Sequence, residues 1–159
     1  MQYFIRKAQR CDIELLIELV REIWDQCFRS FLEDESITSY LEGLESGLAR
    51  EGIVESLSNS YILERDQEII GYCVWIGSLL QMFMIAPSYQ GMGVGAYFLQ
   101  ETMKEAMKGF LGVHLECFEK NQRAVRFYEK MGFGVVGREY DEELKLVRLY
   151  YEKNVCKKA

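Results

Sequence analysis

The sequence is short of proline and histidine, one of each in 159 residues, and it has no Cys-x-x-Cys pair and no apolar run of membrane-spanning length. Each shortage excludes something. With His114 as the sole histidine, metal sites built on two histidines are out of reach, as are multi-histidine catalytic arrangements. One Cys and His pair stays open by count, and no metal is expected. Cys11, Cys27, Cys73, Cys117 and Cys156 are odd in number and scattered, which argues against a disulfide framework or a zinc site; they read as free thiols. The opening MQYFIRKAQR is broken by polar residues almost at once, so it reads as neither a signal peptide nor a membrane helix. A cytoplasmic protein without a membrane partner is expected. A formal net charge of -6, with no cluster of Lys or Arg, disfavours nucleic acid as a partner.

What is present is ordinary for a folded chain: 49% hydrophobic and 28% charged residues, with no repeat or linker, point to one domain over 1–159. Residues 2–6 alternate like a short strand. Ile13, Leu16, Ile17, Val20, Ile23, Trp24, Cys27 and Phe28 then recur at three and four, predicting an amphipathic helix capped by Asp12. Residues 33–55 carry seven acids against Arg50 alone, with glycines at 43, 47 and 52, and predict a short helix inside a mobile segment. YILE and EIIGYCVWI flank the polar RDQ as a hairpin, and Gly77-Ser78 turns into LLQMFMI. After Pro87 the pattern becomes helix, strand (GVHLECF), helix (NQRAVRFYEKMGF), and a last hairpin with DEE at its turn. The order predicts an α/β domain whose sheet has parallel and antiparallel parts.

Chemistry concentrates at IAPSYQGMGVGAYFLQ, residues 85–100, where Gly91, Gly93 and Gly95 crowd the start of a helix. Glycine there costs up to about 1 kcal/mol each relative to alanine. Two readings explain it: an anion site, in which backbone amides and the helix N-terminus face a phosphate, or a tight loop with close helix packing. The stretch lacks the Lys followed by Ser or Thr of a P-loop, and it lies after three antiparallel strands rather than in a first βα turn, which disfavours a dinucleotide fold. Further on, Asn121 is a good N-cap and Tyr128 follows seven residues later, so two helical turns bring both near one face.

Gln90-Gly91-Met92-Gly93-Val94-Gly95 resembles the Gln/Arg-x-x-Gly-x-Gly/Ala motif of the GNAT N-acetyltransferase superfamily, and Asn121, Ala124, Phe127-Tyr128 and Gly132-Phe133 resemble that family's second motif. The likeness spans nearly the whole chain, with the acetyl-CoA motif at about 81–110 and the second at about 112–136. It implies a twisted mixed sheet of six or seven strands with about four helices, opening between parallel strands at 79–85 and 112–118. It further implies that backbone amides of Gln90, Gly91, Met92, Gly93, Val94, Gly95 and Ala96 hold the pyrophosphate of acetyl-CoA. The strand edge at Phe83, Met84 and Ile85 would pair with the pantetheine arm, and an amide near Met84 would face the oxyanion. Asn121 would fix the cofactor and the helix start. Tyr128, beside the sulfur, becomes the candidate general acid for direct transfer to a primary amine.

An alkylamine of pKa about 10.4 is neutral only about once in 2,500 molecules at pH 7, so a base is needed. Glu116 is the first candidate, with Glu64, Tyr72 and His114 behind it; a lone strand histidine is commonly structural. The acids of 33–55 suggest a cationic acceptor, either a small molecule or a basic peptide. Paired Tyr150 and Tyr151 read as sheet packing. The alternative function is a catalytically idle acyl-CoA-binding or regulatory domain. The acceptor's identity and the oligomeric state, a homodimer included, stay open at this level.

Overall fold

In the computed structural model, which describes residues 2–155, the alternating segments form β1 (Tyr3–Lys7), β2 (Ser60–Arg65), β3 (Glu68–Ile76), β4 (Leu79–Ile85), β5 (Gly112–Phe118), β6 (Gly134–Asp141) and β7 (Leu146–Asn154). Helices α1 (Ile13–Cys27), α2 (Asp34–Ser46), α3 (Leu48–Glu55), α4 (Val94–Ala106) and α5 (Gln122–Lys130) connect them. Cys156 lies outside the described residues, and the other four cysteines are free thiols. All seven strands share one sheet in the order β1-β2-β3-β4-β5-β7-β6, and only β4 with β5 is parallel. No helix among the described residues is long and apolar enough to cross a membrane.

Local chemistry explains the turns. Asp66 and Gln67 both take positive φ (50° and 67°), the left-handed pair that a two-residue hairpin needs to match strand twist, here without glycine. The helices cover opposite faces of the sheet. On β5 the Phe118 ring meets Phe31, ahead of α2, while the next residue back, Cys117, faces Tyr128 of α5. Leu16 and Val20 of α1, Leu44 of α2 and Ile53 of α3 are buried in the core, as are Phe98 and Leu99 of α4. Each such side chain contributes roughly 1.5–3 kcal/mol on leaving water.

Two expectations are corrected. Residues 34–55 are two well-formed helices rather than one short helix in a mobile segment, because Ile37, Leu44 and Ile53 are buried and Gly43 and Gly47 permit close approach where the two helices meet. A Cβ on Gly47 would stand 3.1 Å from the Gly43 Cα. Asp12 occupies the cap position of α1 but makes no cap hydrogen bond to that helix. Its carboxylate instead accepts from Arg6 at 2.8 and 2.9 Å and from the Gln9 amide at 2.7 Å, closing the preceding 3-10 turn. Arg6 also holds Glu64 at 2.6 Å.

Candidate active site

β4 and β5 pair only at Leu79 with His114 and Leu80 with Leu115; from there the strands diverge. Beyond that point β4 keeps its pairing with β3, so only its outer edge is free. The Ala86 amide donates to the Ile70 carbonyl at 2.8 Å, and this fixes the phase of the ladder. Met82 and Met84 turn their peptide groups toward β3, whereas Phe83 and Ile85 turn theirs toward the gap. On the far wall, the His114 amide reaches Ser78 at 2.9 Å and the Glu119 amide reaches Val147 at 2.8 Å, which leaves the peptide groups of Glu116 and Phe118 facing the gap. The expected amide near Met84 therefore shifts by one residue: Met84 is engaged with β3, and Ile85 stands at the opening.

The glycine turn follows directly. Gly91 and Gly93 have φ of +76° and +80°, and a Cβ on either would meet nothing within 4 Å, so their need for glycine is conformational. Gly95 is different, since its Cβ would stand 3.2 Å from the Phe127 ring of α5. Both readings of the turn thus have their own residues. From Gly91 to Ala96 six consecutive amides find no acceptor among the described residues; the next, Tyr97, reaches the Gly93 carbonyl at 3.2 Å. No charged side chain occurs anywhere from Ile69 to Gln100. A row of free donors at a helix start can face an anion, but without formal charge it would need help from elsewhere for a multiply charged ligand.

Gln90 joins the two walls. Its Nε2 donates to the Ile85 carbonyl at 2.9 Å, and its Oε1 accepts from Arg123 in the first turn of α5. Asn121 caps that helix, its Oδ1 accepting from the Ala124 amide at 3.3 Å. Two turns on, Tyr128 is 8% exposed, packed edge-on against Phe127 and Phe133. Burial, then the neighbouring Cys117 and Cys73 thiols, push its phenol pKa well above the ordinary value. Burial also raises the Cys117 thiol to about 12. Phe83 stacks on Phe127 at 5.6 Å between centroids, tying the strand edge to α5.

The opposite face of β5 carries a cavity of about 420 Å³ lined by Glu116, Glu139, Tyr140, Asp141, Glu142, Arg148 and Tyr150. Glu116 lies 3.6 Å from Arg148, which pairs more closely with Asp141 at 2.7 Å. The Leu144 amide and then Arg148 hold the Asp141 carboxyl below its usual range. Tyr150 donates to Glu139 at 2.6 Å. An aromatic chain, Tyr40-Trp24-Phe28-Phe31-Phe118, closes this face beside the gap.

Of the residues singled out from sequence, Phe83, Ile85, the 90–96 turn, Asn121 and Tyr128 surround the splay on one side, and Glu116 stands on the other. Glu64 is two strands away on Arg6, and Tyr72 is wholly buried. Glu33, Asp34 and Glu35 are exposed, Asp34 pairing with Arg29 at 3.1 Å. Sequence reading missed Arg123, Arg148, Glu139, Asp141 and the lining role of Tyr150. The last had a signal, because adjacent strand residues point to opposite faces: Tyr151 is core and Tyr150 is not.

Residues 56–135 match the family model for the acetyltransferase (GNAT) domain. Spermidine N(1)-acetyltransferase of Thermoplasma acidophilum is 31% identical over 85% of this chain and 90% of its own length. The peptidyl-lysine N-acetyltransferase YjaB of Escherichia coli K12 is 33% identical over 51% of this chain, which there spans about half (52%) of that protein. Among solved structures, the PaiA N-acetyltransferase of T. acidophilum in complex with coenzyme A superposes with a TM-score of 0.77 at 28% identity, covering 97% of this chain and 99% of that one. With the splayed β4-β5 pair, the glycine turn and these likenesses together, the chain belongs to the GNAT family of N-acetyltransferases.

Proposed function

We propose that the protein transfers the acetyl group of acetyl-CoA directly to a primary amine, and that the amine enters as a cation. The observation that carries the cofactor reading is the run of six unsatisfied amides from Gly91 to Ala96, continuous with an unpaired strand edge. The amides fit a pyrophosphate, and the edge at Phe83 and Ile85 fits the peptide-like pantetheine arm. Acetyl-CoA supplies an activated acyl thioester. The Ile85 amide, facing the gap, is the donor for the acyl oxygen as negative charge builds on it.

The two faces of β5 divide the proton work. Tyr128 holds a proton on the α5 side, where the sulfur leaves, and its buried phenol stays protonated throughout the neutral range. Glu116 is the candidate base on the cavity side, taking a proton from the incoming ammonium. Four carboxylates around one arginine in that cavity favour a cation over a neutral amine. Spermidine and peptidyl-lysine, named for the two relatives, both present a protonated primary amine.

The test is free-thiol release from acetyl-CoA with a panel of polyamines, lysine peptides and neutral amines, products being identified by mass. Acetylated amine with stoichiometric thiol is expected. Tight acetyl-CoA binding with no thiol release for any amine would establish the idle acyl-CoA-binding domain instead.

A further inference from the structure

We propose that Arg123 forms a subsite for the ribose 3′-phosphate of coenzyme A, carrying the charge that the glycine turn lacks. The inference rests on the acetyl-CoA reading. Coenzyme A brings a pyrophosphate and a phosphate monoester that is largely dianionic at pH 7, since its second ionisation falls near pKa 6. The turn amides supply dipoles but no formal charge, and no cation lies between Ile69 and Gln100. Arg123 is the cation bonded to that turn, through the Gln90 Oε1. No carboxylate among the described residues pairs with it.

Among the described residues its one side-chain hydrogen bond is to a neutral amide oxygen, which a phosphate can replace with a charge-assisted and bidentate partner. Gln90 keeps its own grip on the Ile85 carbonyl when Arg123 turns away, so the strand edge is undisturbed. Lys120 and Arg126 flank Arg123 on the same segment and, among the described residues, also lack a carboxylate partner, adding positive potential at this mouth of an otherwise acidic chain. Pyrophosphate is already matched by the six amides. The 3′-phosphate is the group left for the guanidinium.

Titration calorimetry of coenzyme A and of 3′-dephospho-coenzyme A separates the roles. Wild type should prefer coenzyme A by roughly 10- to 100-fold at low salt, the preference shrinking as salt is raised. Arg123→Ala should erase it by weakening coenzyme A alone, leaving the dephospho form within about twofold. Arg123→Lys, which keeps charge without the fork, should retain part of it and guards against a folding artefact in the alanine variant. Equal losses for both ligands would reassign Arg123 to the pyrophosphate, and unchanged affinities would place it in solvent; either overturns the proposal while leaving the acetyl-CoA reading intact. Failure of wild type to bind both ligands would overturn that reading as well.

Discussion

Replacing Gly93 tests whether the cofactor turn is built by backbone conformation. The residue holds φ +80° at the head of α4, and a Cβ there meets no protein atom within 4 Å, so any cost is torsional rather than steric. A left-handed conformation costs an L residue about 1–2 kcal/mol, and β-branching brings the figure for valine to about 2–3 kcal/mol. That strain has two outlets. If Gly93→Val keeps the turn, the folded state bears the strain and the melting temperature falls by roughly 5–10 °C. If the turn relaxes, stability is spared and acetyl-CoA binding weakens by about 30- to 150-fold, because the amides no longer converge. The two losses, measured by thermal unfolding and calorimetry, should together account for about 2–3 kcal/mol. Gly93→Asn sharpens the test, since asparagine tolerates the left-handed region and should lose less than Gly93→Ala despite its larger side chain. A ranking by size, or wild-type melting and affinity in the valine variant, would refute the torsional account.

Tyr128→Phe should lower kcat roughly 10²-fold with little change in the apparent constant for acetyl-CoA, because the hydroxyl acts when the thiolate leaves. Burial raises the Tyr128 pKa, so the protonated form persists as pH climbs past 10; a descending limb of kcat at pH 10 that disappears in Tyr128→Phe would contradict the raised pKa, and wild-type turnover in Tyr128→Phe would sink the general-acid role. Neutralising the cavity with Glu139→Gln and Asp141→Asn should raise the KM of cationic amines selectively, by a factor that shrinks with salt; Glu33→Gln with Asp34→Asn, at the exposed N-terminus of α2, should change little, and the reverse result would move the acceptor wall to α2. Asp12→Asn should destabilise the fold by about 2–4 kcal/mol, since it strips a buried partner from Arg6 while leaving Glu64. The Asp12 pKa is lowered in the folded state, chiefly by its hydrogen bonds from Arg6, so its stabilisation is present above about pH 4 and lost as pH falls through the folded value. Wild-type acid unfolding in Asp12→Asn would contradict that.

The strand and helix spans around the site were legible because their periods are clean: the expected parallel strands at 79–85 and 112–118 coincide with β4 and β5. The glycine turn was legible as a motif. Its division of labour was not, since positive φ at Gly91 and Gly93 and the approach of Phe127 to Gly95 are the same letter in a sequence. The helices over 34–55 were obscured by Gly43 and Gly52, which lie inside α2 and α3, and by Gly47, which ends one and begins the other. Peptide phase was beyond reach for a further reason. Two register shifts, at Leu63/Glu64 and Val74/Trp75, precede the cleft, and each changes which residues face which neighbour. Without the Ala86 to Ile70 bond no count along β4 shows that Ile85, not Met84, offers its amide to the gap.

Net charge was legible too, and it hides the arrangement that matters for two substrates. The segment Lys120–Lys130 holds four cations and one acid beside the turn, while Glu139–Arg148 holds four acids and two cations beside the cavity. A chain of -6 is thereby positive where an anionic cofactor would approach and negative where a cationic amine would. Fields of this kind reach about 10 Å at moderate salt, so each mouth attracts its own ligand without much cancelling the other across the sheet. The uncharged stretch from Ile69 to Gln100 supplies β4 and the free amides of the turn. Leaving that stretch neutral keeps the local charge near the acyl group small, so the Ile85 amide would act there against a background that neither bound ligand has already saturated.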